Sequence, residues 1–250
     1  MSFRFLKKRK PPFNDAGRIP VHIGVIMDGN GRWARKRGLP RSAGHKAGAE
    51  KLRNVTEWCG NLGIKYLTVY AFSTENWSRP SEEVSGLMSL LIEFLEKYEP
   101  EMAIQGVRLR VLGDMDSLPD NIRRALDNAV QRSVNRQKMQ LIIAFNYGGR
   151  REIAHAARKI SEMITQGTIT PADVSEDLIS DNLYLPDIPD PDMIIRPSGE
   201  LRLSNFLLWE SAYSELWFSD VLWPDFSEEH LRKALEDYIH RDRRYGGVKS

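Results

Sequence analysis

The sequence of 250 residues contains a single cysteine, Cys59, which excludes a disulfide framework and any metal site built from cysteine thiolates. It also has no excess of charge, because 36 Lys and Arg face 34 Asp and Glu and leave a formal net charge of +2. This balance argues against a general nucleic-acid-binding protein and requires any electropositive site to be local. Apolar residues make up 41% of the chain, enough to form a hydrophobic core.

Long apolar runs are absent as well. The best candidate for a membrane span, residues 86–95, is interrupted by Glu93 and is too short to cross a bilayer. The first ten residues place a basic cluster after a few apolar residues and contain no secretory h-region. We therefore expect a cytoplasmic protein with at most peripheral membrane contact. The basic residues 7–10 would suit an anionic lipid surface, although a solvated tail explains them more simply.

Short apolar segments rich in β-branched and aromatic residues alternate with longer segments of helical spacing. The strand candidates are 21–27, 66–72, 107–112, 139–145, 192–195 and 215–218, and the helix candidates are about 45–60, 81–104, 119–136, 149–166 and 227–243. Continuous apolar runs indicate strands that are buried on both faces. The pattern predicts one α/β domain over 19–247, with a mostly parallel central sheet flanked by helices, and a flexible arm over 1–18.

Two helix features stand out. Serine followed by two acids, at 81–83, 175–177 and 227–229, predicts a helix start with the serine as the N-cap. The helix candidate 81–104 carries apolar residues on more than one face, so it is either deeply buried or lines an apolar cavity. On the pattern alone, plain core packing is favoured.

Ligands of parallel sheets bind beyond the carboxyl ends of the strands, so the loops at those ends matter most. Four of them, residues 28–33, 73–79, 146–150 and 196–204, each contain an arginine, and Arg41 and His45 follow the first. Arginines beside glycine turns with free backbone amides predict a site for phosphate-like anions. Asp28 and Glu215 would supply the hard oxygen ligands that Mg²⁺ prefers.

Each of these features also has a simpler interpretation. Taken alone, Asp28 is explained equally well as a helix cap, the neighbouring glycines as turn formers, and His45 as a satisfied surface or core residue. A basic run such as 32–41 is usually a solvated face. The convergence of four loops on one predicted edge, rather than any single residue, favours the anion site.

Several common enzyme classes are excluded. Residues 29–34 fit the dinucleotide fingerprint G-x-G-x-x-[GA], and Glu50 follows at the right distance, but Glu50 falls within a predicted helix instead of ending a strand. A nicotinamide-binding protein therefore remains a distant alternative. The chain has no G-x-x-x-x-G-K-[ST], H-E-x-x-H, G-x-S-x-G or D-D-x-x-D motif.

Three segments resemble the cis-prenyltransferases, and most closely the bacterial undecaprenyl diphosphate synthases: 22–34 (HIGVIMDGNGRWA), 72–80 (FSTENWSRP) and 196–215 (RPSGELRLSNFLLWESAYSE). The resemblance covers about 20–247 and implies a homodimer with a six-stranded parallel sheet and an apolar tunnel. It implies an enzyme that condenses isopentenyl diphosphate onto farnesyl diphosphate with cis geometry, up to undecaprenyl diphosphate, the lipid carrier for cell-wall sugars. The helix 81–104 would then line the tunnel, with Met139 and Leu141 as candidates for its floor.

The resemblance also implies residue roles. Asp28 would coordinate Mg²⁺ and be central to catalysis, Asn76 would assist proton removal, and Glu215 would be a further metal ligand. The substrate-binding residues would be Gly29, Asn30, Gly31, Arg32, Trp33, Arg41 and His45 at the allylic diphosphate, Ser73, Thr74, Glu75, Trp77 and Arg79 in a mobile loop, and Arg196, Arg202, Leu203 and Ser204 at isopentenyl diphosphate. The segment 244–246 resembles the family's R-x-G tail, which reaches across the dimer.

The sequence departs from the family pattern at three positions. Pro197 and Ser198 follow the arginine where Thr-Gly or Thr-Ser is common, and Leu201 stands where some members carry a histidine near the metal. Two further alternatives remain: a short-chain relative that stops after one or a few additions, and a catalytically silent partner subunit of the same fold. The presence of Asp28, Asn76 and Glu215 argues against the silent subunit.

Overall fold

The structure is a computed structural model that describes residues 19–241, so the predicted arm 1–18 and tail 244–246 lie outside the described residues. The described part contains six strands and seven α-helices. In chain order they are β1 His22–Ile26, α1 Asn30–Lys36, α2 Arg41–Leu62, β2 Tyr66–Ser73, α3 Ser81–Ile104, β3 Val107–Leu112, α4 Asp120–Ser133, β4 Met139–Tyr147, α5 Gly149–Thr165, α6 Glu176–Ser180, β5 Met193–Pro197, β6 Glu215–Ser219 and α7 Glu228–Ile239.

The six strands form one sheet in the order β3-β4-β2-β1-β5-β6, and every neighbouring pair is parallel. The prediction of a single α/β domain is confirmed, with a sheet that is wholly rather than mostly parallel. All five residues of β1 are buried, and successive residues such as Val25 and Ile26 belong to apolar clusters on opposite faces of the sheet. Burial on both faces explains the continuous apolar runs.

Helix boundaries differ from the prediction in two informative places. The short helix α1 was not predicted, because Ala34 is its only buried residue and its sequence has no apolar period. The helix α3 begins at Ser81 with Pro80 in the cap position, so the prediction that Ser81 caps the helix is wrong. The other two serines are caps, since Ser175 Oγ accepts from Leu178 N and Ser227 Oγ accepts from His230 N.

The helix α1 packs directly on α2, which brings α2 to the end of β1. A Cβ atom added at Gly44 would lie 2.1 Å from the carbonyl oxygen of Asn30, and one added at Gly48 would lie 2.4 Å from Asn30 Oδ1. Only glycine allows this approach. It places the first turns of α2, with Arg41 and His45, beside the loop that follows β1.

Both interpretations of α3 hold for different residues. Met88, Leu95 and Met102 are buried in the core, whereas other apolar residues of α3 line a small cavity of about 90 Å³ against α2 and β4. The cavity-lining residues of α3 are Leu87, Leu90, Leu91 and Phe94. Within 19–241, no helix has both the length and the apolar character that a membrane crossing requires.

Candidate active site

A cavity of about 700 Å³ opens at the carboxyl ends of β1, β2 and β5, where the parallel sheet predicts a ligand. Its lining includes most of the residues that the sequence predicts. These are Asp28, Gly29, Asn30, Gly31, Arg32, Arg41, His45, Ser73, Glu75, Asn76, Arg79, Arg196, Arg202 and Ser204. Residues that are far apart in the chain therefore meet in one place.

Asp28 is fixed by the turn between β1 and α1. Its Oδ1 accepts from Gly29 N over 2.6 Å, and its Oδ2 accepts from Arg196 Nη2 over 2.8 Å. The turn needs glycine at position 29, where φ is +100°. Burial alone would raise the pKa of Asp28, but hydrogen bonding from Arg196 and the positive charges of Arg196 and Arg32 lower it. Asp28 is therefore an anion at neutral pH.

Arg196 is buried and organises the loop that follows β5. Besides Asp28, its guanidinium donates through Nη1 to Ser204 Oγ over 2.8 Å and to the carbonyl oxygen of Arg202. Several residues of this loop adopt positive φ although they are not glycine, including Ser204 at 52° and Asn205 at 66°. Arg196 therefore stabilises a strained loop and holds Arg202 and Ser204 at the cavity.

Three of the predicted substrate-binding residues converge on one carboxylate that the sequence does not assign to the site. Glu83 Oε1 accepts from Arg41 Nη2 over 3.0 Å and from Arg79 Nη1 over 2.9 Å, and lies 3.3 Å from His45 Nε2. Burial lowers the pKa of His45, against the influence of Glu83. The sequence gives no signal for this contact of Glu83, because an acid in the first turn of a helix is ordinarily explained by the helix dipole.

The loop after β2 forms a 3₁₀ turn over Thr74–Ser78. Ser73 and Asn76 close this turn as a reciprocal capping box, in which Asn76 Oδ1 accepts from Ser73 N over 3.1 Å. The acceptor oxygen of Asn76 is thus used inside the loop. The amide nitrogen of Asn76 remains as the polar group that can donate into the cavity.

Some predicted residues do not line the cavity. The indole of Trp33 donates to Asp225 Oδ1 over 2.7 Å. The indole of Trp77 donates to Asn146 Oδ1 over 2.8 Å, and Trp77 lines a separate groove between α3 and the start of α4. Leu203 packs against the apolar cluster on the face of the sheet that includes Ile26. Thr74 lies next to Gly148.

Arg150 and Glu215 are also placed elsewhere. Arg150 lies in the first turn of α5 and is exposed, so three of the four loops, not all four, bring an arginine to the cavity.

Glu215 begins β6, where it is paired with Met193 of β5. Met193 is in turn paired with Ile23 of β1, so Glu215 is level with Ile23 across the sheet. At roughly 3.3 Å a residue, it lies about 16 Å before Asp28 along the sheet. Its carboxylate accepts from Arg241 Nη1 over 2.7 Å, so Asp28 and Glu215 do not share one ion within a single chain.

The structure adds residues that the sequence analysis did not assign to the site. Arg35 and Asn205 both line the cavity. Arg35 stands one turn after Arg32 within a basic run that the sequence presents as a solvated face. Asn205 directly follows the predicted Ser204, and this adjacency is the only feature of the sequence that points to a place for Asn205 in the site.

The residues of the cavity fit one particular mode of magnesium binding. Within 19–241 no group of three or more His, Cys, Asp or Glu side chains is arranged to hold a metal, and Leu201 is exposed and offers no ligand. Asp28 is an ionised carboxylate at the wall of a cavity rich in arginine. Mg²⁺ commonly binds through one or two carboxylates together with substrate phosphates, and Asp28 fits that mode.

The small apolar cavity adjoins the polar one. Five residues line both of them: Met27, Asn30, His45, Ala71 and Leu87. On the far side, the apolar cavity is lined from β4 by Ile143 and Phe145, whereas the predicted floor residues Met139 and Leu141 lie in the core nearer the amino end of the strand. The site thus places an anion-binding cavity next to an apolar one, as a ligand with a diphosphate head and a hydrocarbon tail requires.

The parallel α/β fold with this two-part cavity is that of a prenyltransferase family, as the isoprenyl transferases among the relatives of this chain show. More particularly, the chain belongs to the family whose model carries the description "Putative undecaprenyl diphosphate synthase", which matches residues 26–246. It is 52% identical over 235 residues to an isoprenyl transferase of Heliobacterium mobile, covering 94% of this chain and 90% of that protein. It is 50% identical to an isoprenyl transferase of Thermotoga maritima, covering 92% of this chain and 98% of that one.

Solved structures agree with this assignment. The crystal structure of lavandulyl diphosphate synthase from Lavandula x intermedia, in complex with dimethylallyl diphosphate, superimposes with a TM-score of 0.90 at 35% identity and covers 92% of this chain and 100% of that one. A probable undecaprenyl diphosphate synthase from Campylobacter jejuni gives a TM-score of 0.76 at 29% identity, with 91% and 99% covered. The family supports cis-prenyl chain synthesis from prenyl diphosphates.

Proposed function

We propose that the protein condenses isopentenyl diphosphate onto farnesyl diphosphate with cis geometry and repeats the addition up to undecaprenyl diphosphate. The observation that carries the proposal is the junction of an arginine-lined cavity with an apolar one at the carboxyl edge of the sheet. The product would serve as the lipid carrier for cell-wall sugars.

The allylic diphosphate would bind beside the loop after β1 and the start of α2. Arg32, Arg41 and His45 present donors there, next to the backbone amides of the first turn of α1. Fixed positive charge at the leaving group favours ionisation of the allylic carbon–oxygen bond, because it stabilises the negative charge that grows on the diphosphate. Asp28 would hold Mg²⁺ at this diphosphate, and the ion would supply further positive charge to the leaving group.

Isopentenyl diphosphate would bind at the loop that follows β5. Arg202 and Ser204 line the cavity there, and Arg196 holds both in place. In the reaction, the double bond of isopentenyl diphosphate attacks the allylic carbon, the diphosphate leaves, and a proton departs from the adjacent carbon. Asn76 would donate its amide N–H to a diphosphate oxygen and so position that oxygen to accept the proton, because an amide is a poor base and the Asn76 oxygen already accepts from Ser73 N.

The growing chain would extend into the apolar cavity along α3. Each methylene that leaves water contributes about 0.8 kcal/mol, so elongation inside the protein is favourable and product release is slow. The protein would act as a homodimer in the cytoplasm, with at most peripheral contact to the membrane that receives its product.

One observation favours a second candidate, a short-chain cis-prenyl diphosphate synthase. The apolar cavity of about 90 Å³ is smaller than an engineered cavity of about 150 Å³ that holds one benzene molecule. A long product therefore requires α2 and α3 to separate, whereas a product extended by one or two isoprene units requires little movement.

The deciding experiment incubates the protein with labelled isopentenyl diphosphate and farnesyl diphosphate and sizes the extracted lipid. We expect a lipid of undecaprenyl length and no incorporation in excess EDTA. A product with only one or a few added units would support the short-chain enzyme. Undiminished incorporation with EDTA would contradict the magnesium assignment, and no lipid under any condition would support the silent subunit.

A further inference from the structure

Asn205 joins three loops at the edge of the polar cavity. Its backbone carbonyl accepts from Gly149 N over 2.8 Å, its Oδ1 accepts from Arg150 N over 2.9 Å, and its Nδ2 donates to Glu75 Oε1 over 2.8 Å. These contacts link the loop after β5 to the first turn of α5 and to the Thr74–Ser78 turn after β2.

The three loops meet this closely because of Gly148. A Cβ atom added there would lie 2.7 Å from Asn205 Nδ2 and 2.7 Å from Thr74 Oγ1. Asn205 itself has a φ of 66°, a left-handed conformation that asparagine tolerates better than most residues. The junction thus depends on a glycine at one position and on an asparagine at the other.

The hydrogen bond between Asn205 and Glu75 has a fixed direction. Because Arg150 N donates to Oδ1 of Asn205, the amide is oriented with its nitrogen towards Glu75. Burial opposes ionisation of Glu75, but hydrogen bonds to its carboxylate, including the one from Asn205, outweigh burial and lower its pKa. An ionised acceptor therefore faces an obligatory donor, which makes this a charge-assisted bond.

We propose that Asn205 is a positioning residue that holds the turn carrying Asn76 against the loop carrying Arg202 and Ser204. The proposal rests on the proposed function, because these two loops would bind isopentenyl diphosphate and guide its proton. The bond keeps the two loops in one relative position, so its loss weakens isopentenyl diphosphate binding and slows the condensation. Arg41 and His45 lie on α2, outside this junction, so binding of the allylic diphosphate is largely spared.

Reversing the bond tests the proposal. In Asn205→Asp a carboxylate of the same shape keeps the contact with Arg150 N but faces Glu75 as a like charge. In the double variant Glu75→Gln/Asn205→Asp, the glutamine nitrogen donates to the new aspartate and restores the bond with its direction reversed. Glu75→Gln alone supplies the second background, since a glutamine oxygen can still accept from Asn205.

We expect Asn205→Asp to lower kcat/KM for isopentenyl diphosphate at least tenfold in the parent background and less than threefold in the Glu75→Gln background. KM for the allylic diphosphate should change less than threefold throughout. Hydrogen exchange of the amides at 74–79 should accelerate in Asn205→Asp and return to the slower rate in the double variant, whether or not the protein turns over.

An equal loss of kcat/KM in both backgrounds, or unchanged exchange at 74–79 in Asn205→Asp, would overturn the positioning role. Failure of the proposed function is recognised separately, because the parent chain itself would then form no prenyl lipid while the exchange experiment still reports on the junction. A common drop in melting temperature for both proteins that carry Asn205→Asp, with an equal loss of activity, would indicate a folding defect and would likewise reject the proposal.

Discussion

Asp28 and Arg196 form an ion pair that joins the end of β1 to the end of β5, with Oδ2 and Nη2 separated by 2.8 Å. The pair is asymmetric in its exposure, because the Arg196 side chain is 4% exposed while the Asp28 side chain is 30% exposed and faces the cavity. Arg196 therefore acts mainly within the protein, and Asp28 remains accessible to a ligand.

Replacement of Asp28 by asparagine should reduce both stability and activity. The asparagine side chain can still accept one hydrogen bond, but the buried guanidinium of Arg196 loses its counter-charge. We expect the free energy of unfolding to fall by about 2 kcal/mol and the rate of prenyl transfer to fall by a factor on the order of 10². Denaturant titration and a lipid-extraction assay measure the two effects.

Glu200→Gln provides the matched control for stability. Glu200 pairs with Arg202 and Arg32, and both of those arginine side chains are more than one-third exposed, at 61% and 41%. Exposed pairs contribute little, so we expect a change below about 0.5 kcal/mol. Equal changes in Asp28→Asn and Glu200→Gln would show that the Asp28–Arg196 pair has no special structural role.

Asn76→Asp should leave the fold intact and slow the reaction. Aspartate can still accept from Ser73 N and close the 3₁₀ turn, but it cannot donate an N–H into the cavity. We expect kcat to fall by about tenfold or more at an unchanged melting temperature. A variant that keeps the parent rate would argue that Asn76 does not work by donating a hydrogen bond.

Gly44→Ala should destabilise the protein by about 1–3 kcal/mol, because its Cβ would lie 2.1 Å from the backbone oxygen of Asn30 and would force α1 away from α2. Gly86→Ala in α3 is the control, since nothing lies within 4 Å of a Cβ atom there. Alanine in a helix should raise stability by about 0.5–1 kcal/mol at that position. Similar unfolding energies for the two variants would contradict the close packing of α1 on α2.

Stability should decrease as the pH falls from 6.5 towards 4 because of His22. Burial lowers the pKa of His22 to about 4, although its hydrogen bond with the Pro189 carbonyl oxygen opposes the shift. The unfolded chain, with a histidine pKa near 6.5, therefore binds the proton first, and acid favours unfolding. The contribution reaches about 3 kcal/mol at pH 4.

The measurement compares the parent with His22→Gln. The difference between their unfolding energies should shrink as the pH falls from 7 to 4.5, since only the parent carries this histidine. Parallel pH profiles would show that His22 is protonated equally in the folded and unfolded chains.

The sheet could be predicted from the sequence because its strands are buried on both faces. Val107–Leu112 has the predicted bounds, and β1 differs by one residue at each end. The short helix α1 could not be predicted in this way, because only Ala34 of its residues is buried and the close contact of Gly44 with Asn30 is a tertiary feature. Apolar periodicity reports burial and carries no information on such contacts.

The candidate site shows the same division. Residues at the carboxyl ends of strands, such as Asp28 and Arg196, follow from the sheet rule and meet as expected. Glu83 contacts side chains of α2 and Asn205 contacts a side chain of the turn after β2, and a linear sequence does not reveal such contacts between separate elements. Glu215 is the first residue of its predicted strand and Asp28 follows the last residue of its own. In a parallel sheet these positions lie at opposite ends of the strands, so the separation of the two carboxylates follows from the predicted sheet.

The most direct test of the account is a crystal structure of the protein with Mg²⁺ and a non-cleavable allylic diphosphate analogue. We expect the diphosphate to lie between Asp28, Arg41 and His45, with the ion bound by Asp28 and phosphate oxygens and the hydrocarbon tail in the cavity beside α3. A diphosphate bound away from Asp28, with no phosphorus atom near its carboxylate, would contradict it.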